Sequence, residues 1–167
     1  MKNSERDIIT KILGVQPIML NSAELTAQNR RRYYWTNIPG FTGLQSKNIK
    51  IKDVIESNVE DKYYLSEKMI TNFINSKSQF KFRPCTIEDD KFPTLTARYF
   101  KMGKTDPYLK DSKGIRKLTP IECERIQTMP ENYTAGISNT QRYKCLGNGW
   151  TVDVIAELFK GLKEREV

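Results

Sequence analysis

The sequence predicts an α/β fold that is interrupted by a smaller inserted subdomain of mixed α and β structure. Three observations lead to this prediction. An amphipathic helix near the N-terminus is followed by two short strands, as in a layered α/β sheet whose faces are both buried. Residues 39–113 then lose this regular pattern and become Lys-rich, with scattered glycine and proline. Helical periodicity returns in residues 114–167, so we divide the chain into segments 1–38, 39–113 and 114–167.

The first segment is predicted to contain one helix and two strands. Ser4 is a suitable N-cap, with Asp7 in the first turn, for a helix over about residues 4–13 that ends at Gly14. The stretches VQPIMLNS and RRYYWTNI are predicted to be the two strands, because both are rich in strand-forming side chains and the polar stretch AELTAQN joins them.

The later segments are predicted to be mainly helix and loop. In the middle segment, DVIESNV and LSEKMITNFINSK are predicted helices, the second with Ser66 as its N-cap. In the last segment, Thr119 followed by Pro120 and Glu122 is a strong helix start, and this helix is predicted to run to about Thr128. The stretch GNGWTVDVIAELFKGL is predicted to be a turn leading into a final helix.

Composition restricts the classes of function. The chain has 167 residues, and 28 Lys and Arg against 20 Asp and Glu give a net charge of +8. Such an excess favours a polyanionic partner, although a merely soluble basic protein is equally consistent with it. Three cysteines without CxxC spacing, and no histidine, predict neither a metal site nor a disulfide framework. No apolar run could span a membrane or act as a signal sequence, so we expect a cytoplasmic protein.

The stretch QNRRRYYW is the main candidate for chemistry. If it is a strand, Gln28, Arg30 and Arg32 share one face, and Asn29 and Arg31 lie on the other. Three donor side chains would then converge on one site, and guanidinium groups are suited to bind phosphate or carbonyl oxygens. A solvated basic edge strand is the alternative that the spacing leaves open.

Three segments, in this order, resemble motifs of DNA (cytosine-5) methyltransferases. QNRRRYYWTNIP resembles motif VIII, RKLTPIECERIQTMPENY resembles motif IX, and LGNGWTVDVI resembles motif X. The resemblance covers essentially the whole chain. It implies a partial Rossmann-like methyltransferase domain, made of residues 1–38 (motifs VII and VIII) and 114–167 (motifs IX and X). Residues 39–113 would be the inserted target-recognition domain, a small mixed α+β unit.

The resemblance also implies roles for individual residues. Arg32 would hydrogen-bond a flipped cytosine, Arg30 would organise the catalytic pocket, and Gln28 would support both arginines, since a base must leave the stack to be methylated. The residues implied to lie near S-adenosyl-L-methionine are Asn148, Gly149 and Trp150. The missing side chain of Gly149 would let the backbone approach the cofactor. Trp150 has an alternative role, packing against the start of the last helix.

The resemblance places DNA contacts in the stretch FPTLTARYFKMGK. Recognition domains of the family commonly carry a Thr-Leu pair, which here is Thr94-Leu95. Arg98, Lys101 and Lys104 follow closely, and we expect this group to contact the major groove and the phosphates. For Leu95 itself, the alternative of an inward-facing core residue on a strand is preferred.

The sequence lacks the motifs that carry the family's nucleophile and cofactor loop, namely Pro-Cys with Glu-Asn-Val, and FxGxG. Its Pro84-Cys85 pair lies after motif VIII, so we predict that Cys85 is structural. We therefore expect this chain to be inactive alone and to become a methyltransferase of double-stranded DNA when a separate N-terminal half, or a homologous chain, binds to it. The protein would be cytoplasmic if it is bacterial or phage-like, and nuclear if it is eukaryotic. The alternatives are a non-catalytic DNA-binding or regulatory homologue and a truncated remnant.

Overall fold

The computed structural model of the protein describes residues 1–164. Over these residues the fold is mixed α/β, as predicted, with two separate two-stranded antiparallel sheets. The helices and strands are α1 (Asn3–Leu13), β1 (Pro17–Asn21), β2 (Arg31–Trp35), α2 (Glu67–Asn75), β3 (Tyr108–Lys110), β4 (Ile115–Lys117), α3 (Pro120–Ile126), α4 (Asn139–Asn148) and α5 (Val152–Phe159). No helix within the described range is long and apolar enough to cross a bilayer.

The first sheet confirms the two strands predicted near the N-terminus. β1 and β2 run antiparallel, with Leu20 opposite Arg32. Alternation turns Leu20 towards α5, where it packs in a cluster with Val154 and Leu158. The opposite face is open within the described residues, since Met19 is 50% exposed. Burial of both faces of the sheet was predicted, but only the face that carries Leu20 is buried.

The main core is built jointly from all three segments of the chain. It includes Ala27 from the first segment, Phe92 and Leu95 from the second, and Leu118 and Leu146 from the third. The backbone also links the first two segments, because the amide of Phe92 donates to the carbonyl of Ala27 over 2.8 Å. The middle segment thus shares its core with its neighbours. The β3–β4 hairpin spans the position at which we divided the second segment from the third.

Several predicted helix boundaries are confirmed. The hydroxyl of Ser66 accepts a bond from the amide of Met69 at the start of α2. Thr119 and Glu122 form the capping box of α3, with Pro120 in the first turn. Gly14 ends α1 in the left-handed conformation. The predicted Ser4 cap is wrong, because the N-cap is Lys2 and Ser4 lies inside α1.

The sequence predicted one helix that is not formed and missed another that is. DVIESNV is not helical: a short 3-10 turn, Ile51–Asp53, is followed by irregular chain. Tertiary hydrogen bonds hold that irregular chain, since the amide of Glu56 donates to the Glu122 carboxylate over 2.9 Å. The second error is an omission, because α4 was not predicted. Its sequence NTQRYKCLGN has weak helical patterning, and Tyr143 and Leu146 are its large buried side chains.

Two fully buried carboxylates on α3 hold neighbouring segments in place. Glu122 accepts two bonds, of 2.8 and 2.7 Å, from the guanidinium of Arg116, which tie α3 to β4. Glu124 accepts a bond of 2.9 Å from Arg142 of α4 and another of 2.9 Å from the amide of Thr134. Burial acts to raise the pKa of Glu124, but the hydrogen bonds from Thr134 and Arg142 outweigh it, so the pKa is lowered.

Candidate base-binding groove

Arg30 is a buried arginine that joins three separate parts of the chain. Its guanidinium donates to the carbonyl oxygens of Leu95 (2.7 Å), Gly147 (3.2 Å) and Gly149 (2.8 Å). Its residue is only 5% exposed, and no carboxylate pairs with it among residues 1–164. Burial and, secondarily, the charge of Arg32 lower the pKa of Arg30. Carbonyl dipoles therefore stabilise this charge in place of an acid.

Gln28 lies beneath Arg30 and faces the core. Its amide oxygen accepts from the amide of Leu95 over 2.7 Å, and its amide nitrogen donates to the carbonyl of Ile126 over 3.3 Å and to the side chain of Gln127 over 3.4 Å. The expected convergence of three side chains on one face is wrong, because β2 begins only at Arg31 and Gln28 makes an isolated bridge to Phe92. Strand alternation therefore does not extend back to Gln28.

Gln127 is a residue of this network that the sequence did not identify. Its side chain donates to the carbonyl of Leu146 at the end of α4 and accepts from the hydroxyl of Thr151 over 3.0 Å. Its backbone carbonyl accepts from the amide of Val152, the first residue of α5, over 2.9 Å. With its contact to Gln28, Gln127 joins the entry of β2 to the turn between α4 and α5. The one available signal was an amide side chain at the end of the apolar face of α3.

The closest backbone approach at this site involves Gly147. A Cβ at Gly147 would lie 2.1 Å from the carbonyl carbon of Thr96, so a side chain cannot be accommodated there. At Gly149 the nearest atom would be the carbonyl oxygen of Cys145, at 3.1 Å, in the preceding turn of its own helix. Position 147 therefore requires glycine because α4 packs closely on segment 94–97.

Arg30 and Arg32 share a groove of about 480 Å³ between β2 and the α4–α5 turn. Arg32 is exposed, and its guanidinium donates to the carbonyl of Arg31 over 2.7 Å. Trp150 also lines the groove and is 63% exposed. The remaining lining residues are Leu13, Tyr33, Tyr34, Trp35, Thr36, Asn148, Ile155 and Phe159. This lining combines fixed positive charge, an amide and aromatic rings, but it holds neither a thiol nor a carboxylate.

The predicted DNA-contact residues divide into two groups. Leu95 is fully buried, and Thr94 is partly buried, with its hydroxyl donating to the carbonyl of Asn29 over 2.6 Å. Arg98 and Lys101 are exposed. Lys104 is partly exposed, with its ammonium 3.5 Å from the carbonyl oxygen of Ser76. The structure therefore separates two packing residues from three cations that lie nearer the surface.

Cys85 is held as a structural residue. Its amide donates to the carbonyl of Tyr108 over 2.8 Å, and its carbonyl accepts from the amide of Lys110 over 2.7 Å. Burial, with a smaller contribution from Asp89, raises the pKa of its thiol to about 11. A thiol that is protonated at neutral pH is a poor nucleophile, and Cys85 does not line the Arg32 groove.

Comparison with known proteins identifies the family of the chain. The model of the C-5 cytosine-specific DNA methylases matches residues 13–164. The type II methyltransferase M1.ScrFI of Lactococcus lactis subsp. cremoris is 32% identical in an alignment of 158 residues that covers 82% of this chain and 40% of that protein. For M.Bsp6I of Bacillus sp. (strain RFL6) the identity is 30% in an alignment of 156 residues that covers 81% of this chain and 50% of that protein.

Solved structures share the fold at lower identity. A methyltransferase of Entamoeba histolytica, EhMeth, superimposes with a TM-score of 0.73 at 22% identity, over 95% of this chain and 58% of its own. The DNMT2 of Spodoptera frugiperda gives a TM-score of 0.70 at 22% identity, over 97% of this chain and 63% of its own. The chain thus spans half or less of the length of the curated relatives described above. By its match over residues 13–164, the chain belongs to the C-5 cytosine-specific DNA methylase family.

Proposed function

We propose that this chain supplies the base-binding and DNA-binding part of an S-adenosyl-L-methionine-dependent DNA (cytosine-5) methyltransferase. The observation that carries the proposal is the division between two arginines in one groove. The guanidinium of Arg30 donates to three carbonyl oxygens. Arg32 is exposed and, among residues 1–164, its guanidinium makes one hydrogen bond, to the carbonyl of Arg31. Arg32 is therefore free to bind a ligand at a position that Arg30 holds rigidly.

The chemistry of Arg32 suits an extruded cytosine. A guanidinium remains charged at any physiological pH. It can donate two parallel hydrogen bonds, one to a carbonyl oxygen and one to an adjacent acceptor. Donation to the carbonyl of the base would stabilise the negative charge that the ring gains when a nucleophile adds to it. A base must be out of the stack to enter such a groove. Arg30 and Gln28 would act as positioning residues, since both hold β2 against segment 92–95.

Asn148 and Trp150 fit a role in holding the cofactor, which supplies the methyl group. Both line the Arg32 groove, Asn148 is exposed, and Trp150 presents most of its ring. An amide offers a donor and an acceptor for an adenosine, and an aromatic face suits a cationic sulfonium. The missing side chain of Gly149 was expected to let the backbone approach the cofactor. Instead, it relieves a contact with the carbonyl oxygen of Cys145 in α4. These residues would form one wall of the cofactor site.

We further propose that an N-terminal methyltransferase half supplies the nucleophile. Covalent attack by an activated thiolate is needed to make the ring carbon reactive, and Cys85 lies outside the Arg32 groove, with burial raising the pKa of its thiol. An apolar surface beside the groove supports a protein partner there. Ile12 of α1 is 77% exposed, Leu13 is 54% exposed, and Phe159 of α5 is 51% exposed. Apolar surface of this kind commonly marks a protein interface.

The test is reconstitution with an N-terminal half that carries the Pro-Cys and Glu-Asn-Val motifs of a relative. Transfer of tritiated methyl groups from S-adenosyl-L-methionine to duplex DNA should require both polypeptides. Arg32→Ala should reduce transfer at least 100-fold, the scale on which loss of one transition-state donor acts. Arg31→Ala is the matched control, because Arg31 lies outside the Arg32 groove, and it should leave transfer nearly unchanged.

Two outcomes would contradict the proposal. Full transfer by the Arg32→Ala pair would remove the assigned role of Arg32. DNA binding without transfer, with every N-terminal half tried, would support the alternative of a non-catalytic DNA-binding or regulatory homologue. That alternative draws on the same observation that no thiol or carboxylate lines the groove.

A further inference from the structure

A basic, aromatic loop projects from the end of α2. We name residues 76–83, SKSQFKFR, the basic loop. Every residue from Ser76 to Lys81 is exposed, and Phe80 is 57% exposed. The loop carries Lys77, Lys81 and Arg83 within seven positions. It lies outside the stretch from Thr94 to Lys104 in which the sequence predicted DNA contacts.

The base of the loop is anchored by packing. The ring of Phe82 lies 5.0 Å from the ring of Phe73 on α2 and 5.6 Å from that of Tyr108 on β3. Beyond the loop, Cys85 is bonded to the backbone of β3. Aromatic pairs at these separations stabilise each other. The anchored base therefore presents a short exposed tip at a defined place on the surface.

The charges of the loop are largely uncompensated. Among residues 1–164, neither Lys77 nor Lys81 takes part in an ion pair. Arg83 approaches Asp89 at 3.7 Å, but its side chain is 83% exposed, and so exposed a pair contributes little. An exposed phenyl ring among free cations suits a partner that offers both negative charge and flat apolar surface. Nucleic acid offers both.

The loop is connected to the proposed catalytic side of the molecule. Arg83 lines a second groove, of about 510 Å³, whose other residues include Asn29 and Thr94. Asn29 directly precedes Arg30, and Thr94 bonds to the backbone of Asn29. A polyanion seated on the loop could thus continue along this groove towards the strand that carries Arg32.

We propose that the basic loop contacts duplex DNA. Lys77, Lys81 and Arg83 neutralise backbone phosphates, and Phe80 packs against a base or sugar surface, as apolar wedges do where a duplex is distorted. This inference rests on the proposed function and deepens it, because it locates a contact with the DNA substrate on the basic loop.

The experiment is fluorescence anisotropy of a labelled DNA duplex titrated with the full chain between about 50 and 200 mM salt. Neither the cofactor nor an N-terminal half is needed, so failure of methyl transfer and failure of this proposal are separate results. Replacement of Lys77, Lys81 and Arg83 by glutamine should reduce the magnitude of the slope of log affinity against log salt by roughly 2 to 3. Each phosphate contact contributes about 0.9 to that slope.

The matched control is the same replacement at Lys2, Lys11 and Lys52, three exposed lysines outside the loop, which lowers net charge equally. It should change the slope much less. Phe80→Ala should weaken binding roughly tenfold with an unchanged salt slope, because stacking is not a counterion effect. Phe80→Trp should retain the affinity.

Three results would overturn the proposal: equal slopes for the two triple variants, an unaltered affinity for Phe80→Ala, or equal competition by polyglutamate and by unlabelled duplex. The last result would show that charge alone governs binding. Circular dichroism of each variant would verify folding, which is expected because substitutions at exposed positions change stability little.

Discussion

Replacing Arg30 by methionine should lower the free energy of unfolding by about 4 kcal/mol. The magnitude follows from the three carbonyl oxygens that the guanidinium binds. Those of Leu95 and Gly147 belong to buried residues, and a buried acceptor left without a partner costs about 1–3 kcal/mol. The carbonyl of Gly149 belongs to a partly exposed residue, so water can replace its lost bond. Two acceptors at about 2 kcal/mol each give the total.

The assay is urea unfolding followed by circular dichroism. With a denaturant slope of about 2 kcal/mol per molar, the midpoint should fall by about 2 M. The urea midpoint of Arg30→Lys should lie between those of the wild-type protein and Arg30→Met, because one ammonium cannot reach all three carbonyls. Arg32→Met is the matched control, and its exposed side chain predicts a change within about 0.5 kcal/mol. If Arg30→Met and Arg32→Met unfolded at the same urea concentration, Arg30 would not be the bridge that its contacts indicate.

Three further predictions concern packing, reactivity and pH. Gly147→Ala should destabilise the fold by at least about 3 kcal/mol in the same urea assay, because the new Cβ would overlap the backbone of segment 94–97; a stable variant would contradict this close approach. Iodoacetamide should label exposed Cys145 at neutral pH, but Cys85 only as the pH nears about 11, as read by peptide mass spectrometry; early labelling of Cys85 would reopen its candidacy as a nucleophile. The pKa of Glu124 is lower in the folded state than its ordinary value of 4.5, so its stabilisation is present above that value and is lost as the pH falls through the folded-state pKa. Glu124→Gln should therefore unfold more easily than the wild-type protein at neutral pH, and the difference should shrink in acid; a difference independent of pH would exclude this linkage.

Much of the secondary structure could be predicted because its signals are local. Thr119, Pro120 and Glu122 define a helix start through bonds that span three residues. Ser66 acts in the same way, and the strands β1 and β2 follow from short runs of strand-forming side chains. DVIESNV failed as a prediction because its backbone is bonded to a carboxylate 66 residues away. Local propensity is a weak preference that such tertiary contacts override.

The candidate site shows the same division. The order of three short motifs was sufficient to indicate the family, and their arginines could be named from the sequence. Their burial could not be predicted, since Arg30 reaches a carbonyl 119 residues further along the chain and Gln28 contacts Gln127 across 99 residues. Gln127 was missed for this reason, because an amide that satisfies distant backbone groups has no local pattern.

By itself the sequence determined the starts of α2 and α3, the strands β1 and β2, the basic charge and the order of the motifs, because each depends on residues that are neighbours in the chain. Only the tertiary structure decided which of two alternating arginines is buried among carbonyls and which stays open to a ligand. The physical reason is that burying a charge requires partners, and those partners come together only when the segments around residues 30, 95 and 147 pack into one core.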